Sequence, residues 1–344
     1  MPKNGVLLIN LGTPDSPSVA DVRTYLREFL MDARVIDIPY WRRFLLVQGI
    51  IAPFRAPKSA VEYRKLWTPE GSPLLHYGLE VKRLLQKALG EEYLVALGMR
   101  YQNPSIASAL AELKDKGLER LMVLPLYPQY ASASTGSTIE KVMEELKSWP
   151  THPAVEIISQ FFEHPKFIEA FAEIGRRYMA RKEYDHFVFT YHGLPERQIL
   201  AAANRGYCQL NAKCCGRYHD RNRYCYRAQC YETTRLLAGA LDLKDGTYST
   251  CFQSRLGKNP WIKPYTDELL VELAGNGITS VLAFSPSFVA DCLETTVEIG
   301  ETYREAFQAA GGKQWDLVPS LNTEPSWIAC LRELILKTQP VAAY

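Results

Sequence analysis

The sequence predicts an α/β protein built from two similar halves, each with a mostly parallel β-sheet flanked by helices. Short apolar segments alternate with helical segments along the chain, which is the pattern of parallel βαβ units. The strand segments are continuous apolar runs, as expected of strands that are covered on both faces. The elements from Arg100 to Pro128 recur in the same order from Ser254 to Pro286, about 160 residues later, which indicates two halves built alike.

Length and composition agree with this prediction. The chain has 344 residues, which suits two domains, and it is 47% hydrophobic and 23% charged, as in globular proteins. We predict a first half over residues 1–165 and a second half over 166–325, with a closing helix over 326–337 that crosses back onto the first half. The net charge of +2 gives no indication of nucleic-acid binding. The chain opens on a strand, without a signal peptide or a membrane-spanning run, so we expect a cytoplasmic protein.

The first half contains four predicted strands, and glycines or prolines end most of them. The strands are expected at residues 5–12, 93–101, 120–128 and 155–160. The helices are expected at residues 19–30, 78–89, 106–116 and 138–147, with a small-residue loop at 132–137.

The second half repeats this alternation. Its strands are expected at residues 186–193, 247–254, 280–286 and 315–319. Its helices are expected at residues 167–181, 264–274 and 291–310, before the closing helix. No Gly-x-Gly-x-x-Gly fingerprint and no Walker loop follows any of the strands, so the usual nucleotide-binding use of such a sheet is not indicated.

The stretch from Pro39 to Pro57 is rich in large apolar residues and arginines. It is compatible with a helix that packs on the core. It is equally compatible with an exposed apolar lip, at residues 41–54, that contacts an apolar substrate or a membrane surface peripherally.

His192 stands where the apolar strand 186–193 ends, and Gly193 and Pro195 follow it. The glycine permits a sharp turn, and the proline prevents continuation of the strand. Because ligands bind at the carboxyl ends of strands in open α/β sheets, His192 is a candidate for acid–base chemistry or metal binding.

A line of carboxylates follows the strand 280–286. Glu294 and Glu298 are four residues apart and share one face of a helix, with Asp291 one turn before them and Glu301 one turn beyond. Such a line can be a solvated acidic face. In two halves built alike, it can also meet the imidazole of His192 and form a metal or proton-transfer site.

Five of the eight cysteines fall in one segment, 205–233, at Cys208, Cys214, Cys215, Cys225 and Cys230. Clustered thiols in a cytoplasmic chain point to metal rather than to disulfides. The segment could bind a [2Fe–2S] cluster or zinc, and its interleaved arginines and tyrosines could instead contact nucleic acid or offset the charge of a cluster. The other three cysteines lie in strand or helix patterns and are expected to be small buried residues, Cys251, Cys292 and Cys330.

Seven short motifs, in this order and spacing, make nearly the whole chain resemble the ferrochelatases, which insert ferrous iron into a porphyrin. The motifs are Leu8-Ile-Asn-Leu-Gly-Thr-Pro, Gly71-Ser-Pro, Pro125-Leu-Tyr-Pro-Gln-Tyr with Ser134-Thr-Gly, Tyr191-His-Gly-Leu-Pro, Phe252-Gln-Ser-Arg-Leu-Gly, Trp261 with Pro264-Tyr-Thr-Asp-Glu, and Asp291-Cys-Leu-Glu-Thr. The resemblance implies a Rossmann-like, chelatase-type fold of two four-stranded halves around a porphyrin cleft.

The resemblance also implies roles for particular residues. His192 resembles the active-site histidine of the family and Glu294 its partner carboxylate, both in contact with the Fe²⁺ substrate. Asp291 and Glu298 would continue an acidic path for metal or protons. The residues that resemble those lining the porphyrin are Leu11, Tyr127, Ser134, Gln253, Trp261 and Phe288.

At two positions the sequence differs from members of the family, and these differences bear on the expected metal path and porphyrin substrate. Cys292 stands where animal members carry a histidine, so a second imidazole is missing from the metal path. Leu11 stands where members that use coproporphyrin carry a tyrosine, which favours protoporphyrin IX as the substrate.

Some microbial ferrochelatases carry a [2Fe–2S] cluster, and the segment 205–233 resembles an internal version of that feature. The ligands expected on this basis are Cys208, Cys215, Cys225 and Cys230, with Cys214 as the alternate to Cys215.

The resemblance thus implies protoporphyrin ferrochelatase activity. The alternatives are a chelatase for cobalt, nickel or another tetrapyrrole such as coproporphyrin III, and a non-catalytic porphyrin or haem carrier with a cluster sensor. The intact pair His192 and Glu294 disfavours the non-catalytic alternative.

Overall fold

The computed structural model describes residues 2–203, 207–257 and 259–337, and the chain divides into two compact units. Residues up to 127, residues 132–160 and residues from 322 onward belong to the first unit. Residues 128–131 and 161–321 belong to the second. The predicted start of the cysteine-rich segment, at 205 and 206, lies outside the described residues. The predicted boundary at residue 165 stays a prediction.

The first unit contains a four-stranded sheet in which every neighbouring pair is parallel, in the order β2-β1-β3-β4. Its strands are β1 (Asn4–Gly12), β2 (Tyr93–Tyr101), β3 (Arg120–Pro125) and β4 (Ala154–Ile157). The apolar run of β1 is fully buried from Val6 to Ile9 because the strand lies inside the sheet and is covered on both faces.

The second unit contains a second all-parallel sheet with the equivalent order, β6-β5-β7-β8. Its strands are β5 (His186–His192), β6 (Tyr248–Gln253), β7 (Ser280–Phe284) and β8 (Gln314–Leu317). The prediction of two similar, mostly parallel four-stranded halves is therefore confirmed.

The two units also share a backbone hydrogen bond near the ends of β2 and β6, which are the second strands of their sheets in chain order. In the first unit the amide of Met99 donates to the carbonyl of Pro104, and in the second the amide of Phe252 donates to the carbonyl of Pro264. By this hydrogen bond, Pro104 and Pro264 occupy equivalent positions within their own units.

Seven α-helices of the described residues belong to the first unit, and they flank its sheet. They are α1 (Val19–Leu30), α2 (Tyr40–Phe44), α3 (Ala52–Leu66), α4 (Pro73–Leu89), α5 (Ile106–Leu113), α6 (Ser137–Leu146) and, after the second unit, the last helix of the chain (Pro325–Lys337), with a π-helix (Leu45–Ile51) joining α2 to α3. The last helix packs against α4, where the Arg332 guanidinium donates to the carbonyl of Ala88 at 3.0 Å.

The helices of the second unit include three that the sequence pattern did not predict. In chain order the helices are α7 (Pro165–Met179), α8 (Glu196–Ala202), α9 (Ala212–Cys215), α10 (Tyr226–Ala240), α11 (Thr266–Gly275) and α12 (Tyr303–Ala309). The unpredicted helices are α8, α9 and α10. The longest of them, α10, begins inside the cysteine-rich segment and packs against α7. Its polar residues and cysteines obscure a helical apolar period, although most of its first turns are buried.

Two segments adopt π-helical geometry where the sequence predicted other structure. Residues 132–137 were expected to form a loop, but Ser132–Gly136 is a π-helical turn that continues into α6. Residues 291–310 were expected to form one α-helix, but Leu293–Thr302 is a π-helix followed by α12. In a π-helix the hydrogen bond joins residues five apart, so side chains five apart come to one face.

Each sheet carries its own apolar core. Leu7, Ile9 and Val123 pack with α5 and α6 in the first unit, and Val188, Val281 and Phe307 pack with α11 and α12 in the second. Along the described chain, no helix is both long enough and apolar enough to cross a membrane.

Candidate active site on the second sheet

The imidazole of His192 lies at the carboxyl end of β5, and its protonation pattern follows from one contact. Its Nδ1 is 2.6 Å from the carbonyl oxygen of Gly193. A carbonyl oxygen only accepts hydrogen bonds, so Nδ1 carries the proton in the neutral ring. The lone pair is then on Nε2, which gives His192 the form of a base.

The loop after His192 is fixed to the chain that follows β6. The amide of Gly193 donates to the carbonyl of Gln253 at 2.8 Å, and the amide of Ile262 donates to the carbonyl of Leu194 at 3.0 Å. A Cβ atom at Gly193 would stand 2.8 Å from the Gln253 oxygen and 3.1 Å from the Trp261 ring. Glycine is therefore required for this close approach.

The carboxylate of Glu298, on the π-helix Leu293–Thr302, is close enough to His192 to interact with it electrostatically. Its oxygens accept hydrogen bonds from the hydroxyls of Ser254 and of Tyr303, the latter at 2.9 Å. Tyr303 is five residues after Glu298, so the π-helical spacing brings this hydroxyl to the carboxylate.

Burial raises the pKa of Glu298 above its ordinary value, and the negative charge of Glu294 raises it further. The two hydroxyl hydrogen bonds and the charge of His192 lower the pKa without cancelling the rise. Glu298 is therefore close enough to both His192 and Glu294 to interact with them electrostatically.

Asp291 and Glu301 lie elsewhere on this segment. Asp291 precedes the π-helix, and its Oδ1 accepts a hydrogen bond from the amide of Ser320 at 3.0 Å. Both carboxylates border an open depression of about 300 Å³ together with Arg304. Cys292 is buried, which raises the pKa of its thiol, and this thiol contacts Glu294.

Three of the residues predicted to contact a porphyrin belong to the second unit. The Trp261 ring centre is 6.5 Å from that of His192, and Phe288 is half-buried after β7. Gln253 ends β6, and its Oε1 accepts a hydrogen bond from Thr190 at 2.9 Å. The Nε2 of Gln253 is buried and has no hydrogen-bond partner among the described residues.

The other three predicted porphyrin contacts belong to the first unit. Leu11 is half-buried near the end of β1, and Ser134 is in the π-helical turn before α6. The hydroxyl of Tyr127 lies 3.4 Å from that of Thr138, and burial raises its pKa.

The first unit also has a buried polar cluster that the sequence did not reveal. The carboxylate of Asp32 accepts hydrogen bonds from the hydroxyls of Ser137 and Tyr101 and from the guanidinium of Arg100, the last at 2.6 Å. Burial raises the pKa of Asp32, but these contacts and the Arg34 amide outweigh it, so the pKa is below its ordinary value.

The cysteine-rich segment brings several thiols together. The sulfurs of Cys214 and Cys215 are 3.7 Å apart, Cys215 is hydrogen-bonded to Cys225, and Cys208 contacts Cys214. The buried guanidinium of Arg227 also contacts Cys215. Among residues 2–203, 207–257 and 259–337, no three side chains of His, Cys, Asp or Glu converge on a position for one metal ion.

None of the eight cysteines, all of which lie among the described residues, forms a disulfide, and Cys251, Cys292 and Cys330 are buried, as predicted. Cys230 is completely buried on α10, one helical turn after Tyr226.

Large apolar side chains are exposed along α2, the following π-helix and the start of α3. Trp41 is 60% exposed and Phe54 is 72% exposed, and the remaining exposed residues of this group are Tyr40, Phe44, Leu45 and Ile50. We call these six residues the apolar patch. The lip predicted from the sequence is thus exposed in the structure.

Three residues of this site were not predicted from the sequence. Ser254 lies inside one of the family motifs and directly after a strand, and that position could have identified it. Tyr303 could have been identified only by assuming π-helical spacing from Glu298. The hydroxyl of Tyr226 donates to the carbonyl of His192 at 2.8 Å, but the two residues are 34 positions apart and no local sequence pattern connects them.

The chain was compared with known proteins and structures. A family profile described as Ferrochelatase matches residues 3–339. A protein from Legionella pneumophila (strain Lens), named Ferrochelatase, is 49% identical over 333 residues, which cover 97% of this chain and 98% of that protein. A protein of the same name from Coxiella burnetii (strain Dugway 5J108-111) is 44% identical over 341 residues, covering 98% of this chain and 94% of that protein.

Among solved structures, SirB from Bacillus subtilis with Fe³⁺ is similar in fold. It has a TM-score of 0.53 and 12% sequence identity, and the match covers 97% of this chain and 95% of that one. At this identity the likeness concerns the fold alone.

Proposed function

The chain belongs to the ferrochelatase family, and we propose that it inserts Fe²⁺ into protoporphyrin IX to form protohaem, the last step of haem formation, with His192 as the base. The observation that carries the role of His192 is the contact between its Nδ1 and the Gly193 carbonyl. That contact leaves the lone pair of Nε2 available to accept a proton.

The reaction requires groups that accept protons. One Fe²⁺ ion replaces two pyrrole N–H protons of the porphyrin, so each turnover releases two protons. Nε2 of His192 accepts a proton from a pyrrole nitrogen, and Glu294 provides a carboxylate oxygen for the incoming iron. Because burial raises the pKa of Glu298, this carboxyl group can hold and release a proton closer to neutral pH.

Asp291 is proposed as the outer end of the acidic path. It borders the open depression with Glu301, whereas Glu298 is hydrogen-bonded beside His192. Protons released at Glu298 would leave toward these half-buried carboxylates at the depression.

The test compares two histidines at opposite ends of β5. We expect His192→Ala to lower the rate of iron or zinc insertion into protoporphyrin by at least about 100-fold, because a general base is lost. His186→Gln is the matched control, since His186 contacts Ser249 at the start of the strand. Porphyrin binding, followed by absorbance, should be retained in both variants. Near-normal insertion by His192→Ala would rule out its role as the base.

We propose that the porphyrin contacts Leu11, Tyr127, Ser134, Gln253, Trp261 and Phe288. Apolar and aromatic side chains suit the burial of a large flat ring. The unpaired Nε2 of Gln253 supports a substrate contact, because a buried donor without a partner costs free energy that a bound ligand can offset.

The choice of protoporphyrin rests on Leu11. We expect Leu11→Tyr to lower kcat/KM for protoporphyrin and raise the ratio of coproporphyrin to protoporphyrin turnover about tenfold, with Leu94→Tyr on β2 as a control for the added ring. An unchanged ratio would contradict a role of Leu11 in substrate choice. The same assay with cobalt and nickel tests the alternative chelatases.

We further propose that the cysteine-rich segment binds a [2Fe–2S] cluster through Cys208, Cys215, Cys225 and Cys230, with Cys214 as the alternate to Cys215. A two-iron cluster distributes its four thiolates in pairs over two iron atoms, so it requires paired rather than fully convergent thiols. Two of the proposed ligands, Cys215 and Cys225, are hydrogen-bonded to each other, as such a pair requires. The sulfurs of Cys214 and Cys215 are 3.7 Å apart, so either thiol could take the same ligand position.

The surroundings of the thiols support this proposal. The buried Arg227 guanidinium contacts Cys215 and would offset the negative charge of thiolate ligands. When bound, such a cluster would cross-link the segment before α10 to the helix itself.

The visible spectrum and the metal content of the anaerobically purified protein test the cluster. We expect absorption bands in the region of about 400–600 nm and two iron atoms per chain, as for a two-iron cluster. Cys225→Ser should remove both, whereas the buried Cys330→Ser, in the last helix, should keep them. Zinc without visible bands would overturn the proposal.

We propose that the apolar patch makes peripheral contact with a membrane from the cytoplasmic side. Its exposed aromatic residues alternate with Arg42, whose guanidinium lies 5.0 Å from the centre of the Trp41 ring. Aromatic residues with nearby arginines suit the interface of an anionic bilayer. Flotation with anionic liposomes should weaken in Trp41→Ala and Phe54→Ala but not in Val271→Ala, a similarly exposed residue elsewhere. Absence of flotation by the unaltered protein would refute the contact.

A further inference from the structure

Three buried polar side chains of the second unit form a hydrogen-bonded chain that ends at Gln253. The Oε1 of Gln253 accepts a hydrogen bond from the hydroxyl of Thr190 at 2.9 Å, and this hydroxyl lies 2.9 Å from that of Thr266. Gln253 is 2% exposed and the two threonines are 0% exposed. Of the polar side-chain atoms in this chain, the Nε2 of Gln253 is the one without a hydrogen-bond partner among the described residues.

The register of β5 and β6 explains how the chain forms. Thr190 is paired with Cys251, and His192 is paired with Gln253. Side chains two positions apart on a strand lie on one face of the sheet, so Thr190 and Gln253 share a face. The helix α11 packs against β6, and its first residue, Thr266, adds a hydroxyl to this face.

The hydroxyl protons determine which end of the Gln253 amide is held, because each hydroxyl has one proton to donate. Thr190 donates its proton to the Oε1 of Gln253, so it accepts at its contact with Thr266. The hydroxyl of Thr266 also lies 3.3 Å from the sulfur of Cys251, but a thiol is a weak acceptor, so the oxygen of Thr190 takes this proton. The amide is therefore held by its oxygen, and its N–H groups remain for another partner.

We propose that Thr190 and Thr266 are positioning residues, which hold Gln253 so that its Nε2 donates a hydrogen bond to an acceptor atom of the porphyrin. A buried N–H donor without a partner is costly and rare in folded proteins. This donor belongs to the last residue of β6, which is paired with His192 at the edge of the sheet where ligands bind in open α/β folds. The inference rests on the proposed function, which makes a porphyrin the ligand of Gln253.

The first experiment measures the Gln253 amide by nuclear magnetic resonance. The glutamine side chains are labelled with ¹⁵N, and the Gln253 signals are assigned by their absence in Gln253→Met. We expect protoporphyrin IX to shift these signals, because Nε2 gains an acceptor. Thr190→Val removes the hydroxyl and keeps the branched shape, so it should move the signals in the free protein and reduce their shift on binding. Thr190→Ser keeps a hydroxyl and should restore both.

Thr234→Val is the matched control. Thr234 is also buried in the second unit, but its hydroxyl lies 2.9 Å from that of Tyr191 and is not part of the chain to Gln253. This variant should leave the Gln253 signals in place. Equal shifts in Thr234→Val and Thr190→Val would overturn the positioning role.

The second experiment measures affinity. Thr190→Val should raise the Kd for protoporphyrin IX about five- to tenfold, as expected for the loss of one hydrogen bond, whereas Thr190→Ser and Thr234→Val should stay within about twofold of the unaltered protein. In the Gln253→Met background, Thr190→Val should cause little further weakening, because the threonine acts through the amide. Additive losses in the double variant, or an unchanged Kd in Thr190→Val, would overturn the proposal.

A porphyrin offers two kinds of acceptor, the carboxylates of its propionate side chains and the unprotonated nitrogens of its ring. Binding of etioporphyrin, which has no carboxylates, distinguishes them. A weakening by Thr190→Val that persists with etioporphyrin assigns the bond to a ring nitrogen. A weakening that is present with protoporphyrin and absent with etioporphyrin assigns it to a carboxylate.

The third experiment measures catalysis and folding. Thr190→Val should raise KM for porphyrin with kcat within about twofold, because the bond forms when the substrate binds and not in the transition state alone. Far-ultraviolet circular dichroism checks that each variant is folded. If Thr190→Val does not fold, Thr266→Val takes its place, and unmoved Gln253 signals in that variant would overturn the proposal.

The proposed function is tested separately, by metal insertion in the unaltered protein. Insertion together with Gln253 signals that do not respond to porphyrin would overturn only the positioning role. Signals that respond to porphyrin without any insertion would overturn the proposed function and support the contact.

Discussion

Two carboxylates, Asp32 in the first unit and Glu298 in the second, show how the same sheet topology produces different chemistry. Asp32 accepts hydrogen bonds from a guanidinium and two hydroxyls, and its pKa is lowered despite burial. Glu298 accepts hydrogen bonds from the hydroxyls of Ser254 and Tyr303, and its pKa is raised.

The difference lies in the charge beside each carboxylate. The cationic Arg100 stabilises the ionised form of Asp32, so this group is fixed as part of the structure. Glu298 has the like charge of Glu294 beside it and an imidazole that can itself change charge. A carboxyl group with a raised pKa next to a base is suited to proton transfer. The equivalent strands of the two sheets differ in the same way. In the first unit β1 ends at Gly12, which has no side chain, whereas in the second unit β5 ends at the imidazole of His192.

The largest effect is expected from Asp32→Asn. The side chains of Asp32 and Arg100 are only 6% and 16% exposed, so the change leaves a largely buried guanidinium unpaired. We expect a loss of about 3–5 kcal/mol of unfolding free energy at neutral pH. Because the folded pKa is lowered from 3.8, the contribution of Asp32 is complete above that value and is lost as the pH falls through the folded pKa.

Denaturant unfolding at pH 7 and at pH 3 measures this dependence. Glu156→Gln is the control in the same unit, since the Arg120–Glu156 pair is more exposed and should contribute about 1 kcal/mol or less. Equal losses in the two variants would contradict the structural role assigned to Asp32.

A smaller effect is expected from Gly193→Ala, because the added methyl group meets the Gln253 oxygen and the Trp261 ring. The expected loss is about 1–3 kcal/mol, together with a fall in kcat as the His192 loop moves. Gly12→Ala provides the comparison in the first unit. Its φ of 116° and a clash with the Tyr101 carbonyl should make it at least as destabilising. Thermal unfolding and insertion assays on both variants test this comparison. An unchanged kcat in Gly193→Ala would contradict the role of the Gly193 loop in positioning His192.

The smallest change in stability, and the opposite sign, is expected from Glu298→Gln. The folded pKa is raised from 4.5, so the ionised carboxylate destabilises the fold increasingly as the pH rises above 4.5 toward the folded pKa. Glutamine removes this cost, so Tm should rise at pH 8, by roughly 2–4 °C for each kcal/mol, and be unchanged near pH 4. Insertion activity should fall in the same variant. Lower stability at pH 8 would indicate that Glu298 is held ionised, as Asp32 is.

Much of the fold was predictable because the strands carry their own signals. The strands β1, β5 and β7 are buried on both faces, and the continuous apolar run in the sequence of each strand predicts this burial. The helix α1 was predicted with its observed bounds because Ser18 caps it, accepting a hydrogen bond from the Asp21 amide. By contrast, α10 was missed because its buried face is formed largely by polar residues and cysteines.

The candidate site was indicated in part by the sequence. His192 was proposed from its position at the end of an apolar strand, and Glu294 and Glu298 were proposed from their spacing; their roles stay predictions. The contacts of Ser254 and Tyr303 with Glu298 span 44 and five residues, respectively, and depend on how β6 and the π-helix pack. A sequence pattern read with α-helical spacing does not reveal them.

By itself, the sequence determined the alternation of strands and helices, the recurrence of the two halves and the histidine at the end of β5. These depend on local apolar runs and turn residues. The tertiary structure decided the order of the strands, the π-helical geometry of Leu293–Thr302 and the bond between Tyr226 and the His192 carbonyl. The strand order and the bond of Tyr226 depend on partners far apart in the chain, whose hydrogen bonds form only when packing excludes water and brings them together. The π-helical hydrogen bonds are local, but the residue spacing alone did not distinguish them from α-helical ones.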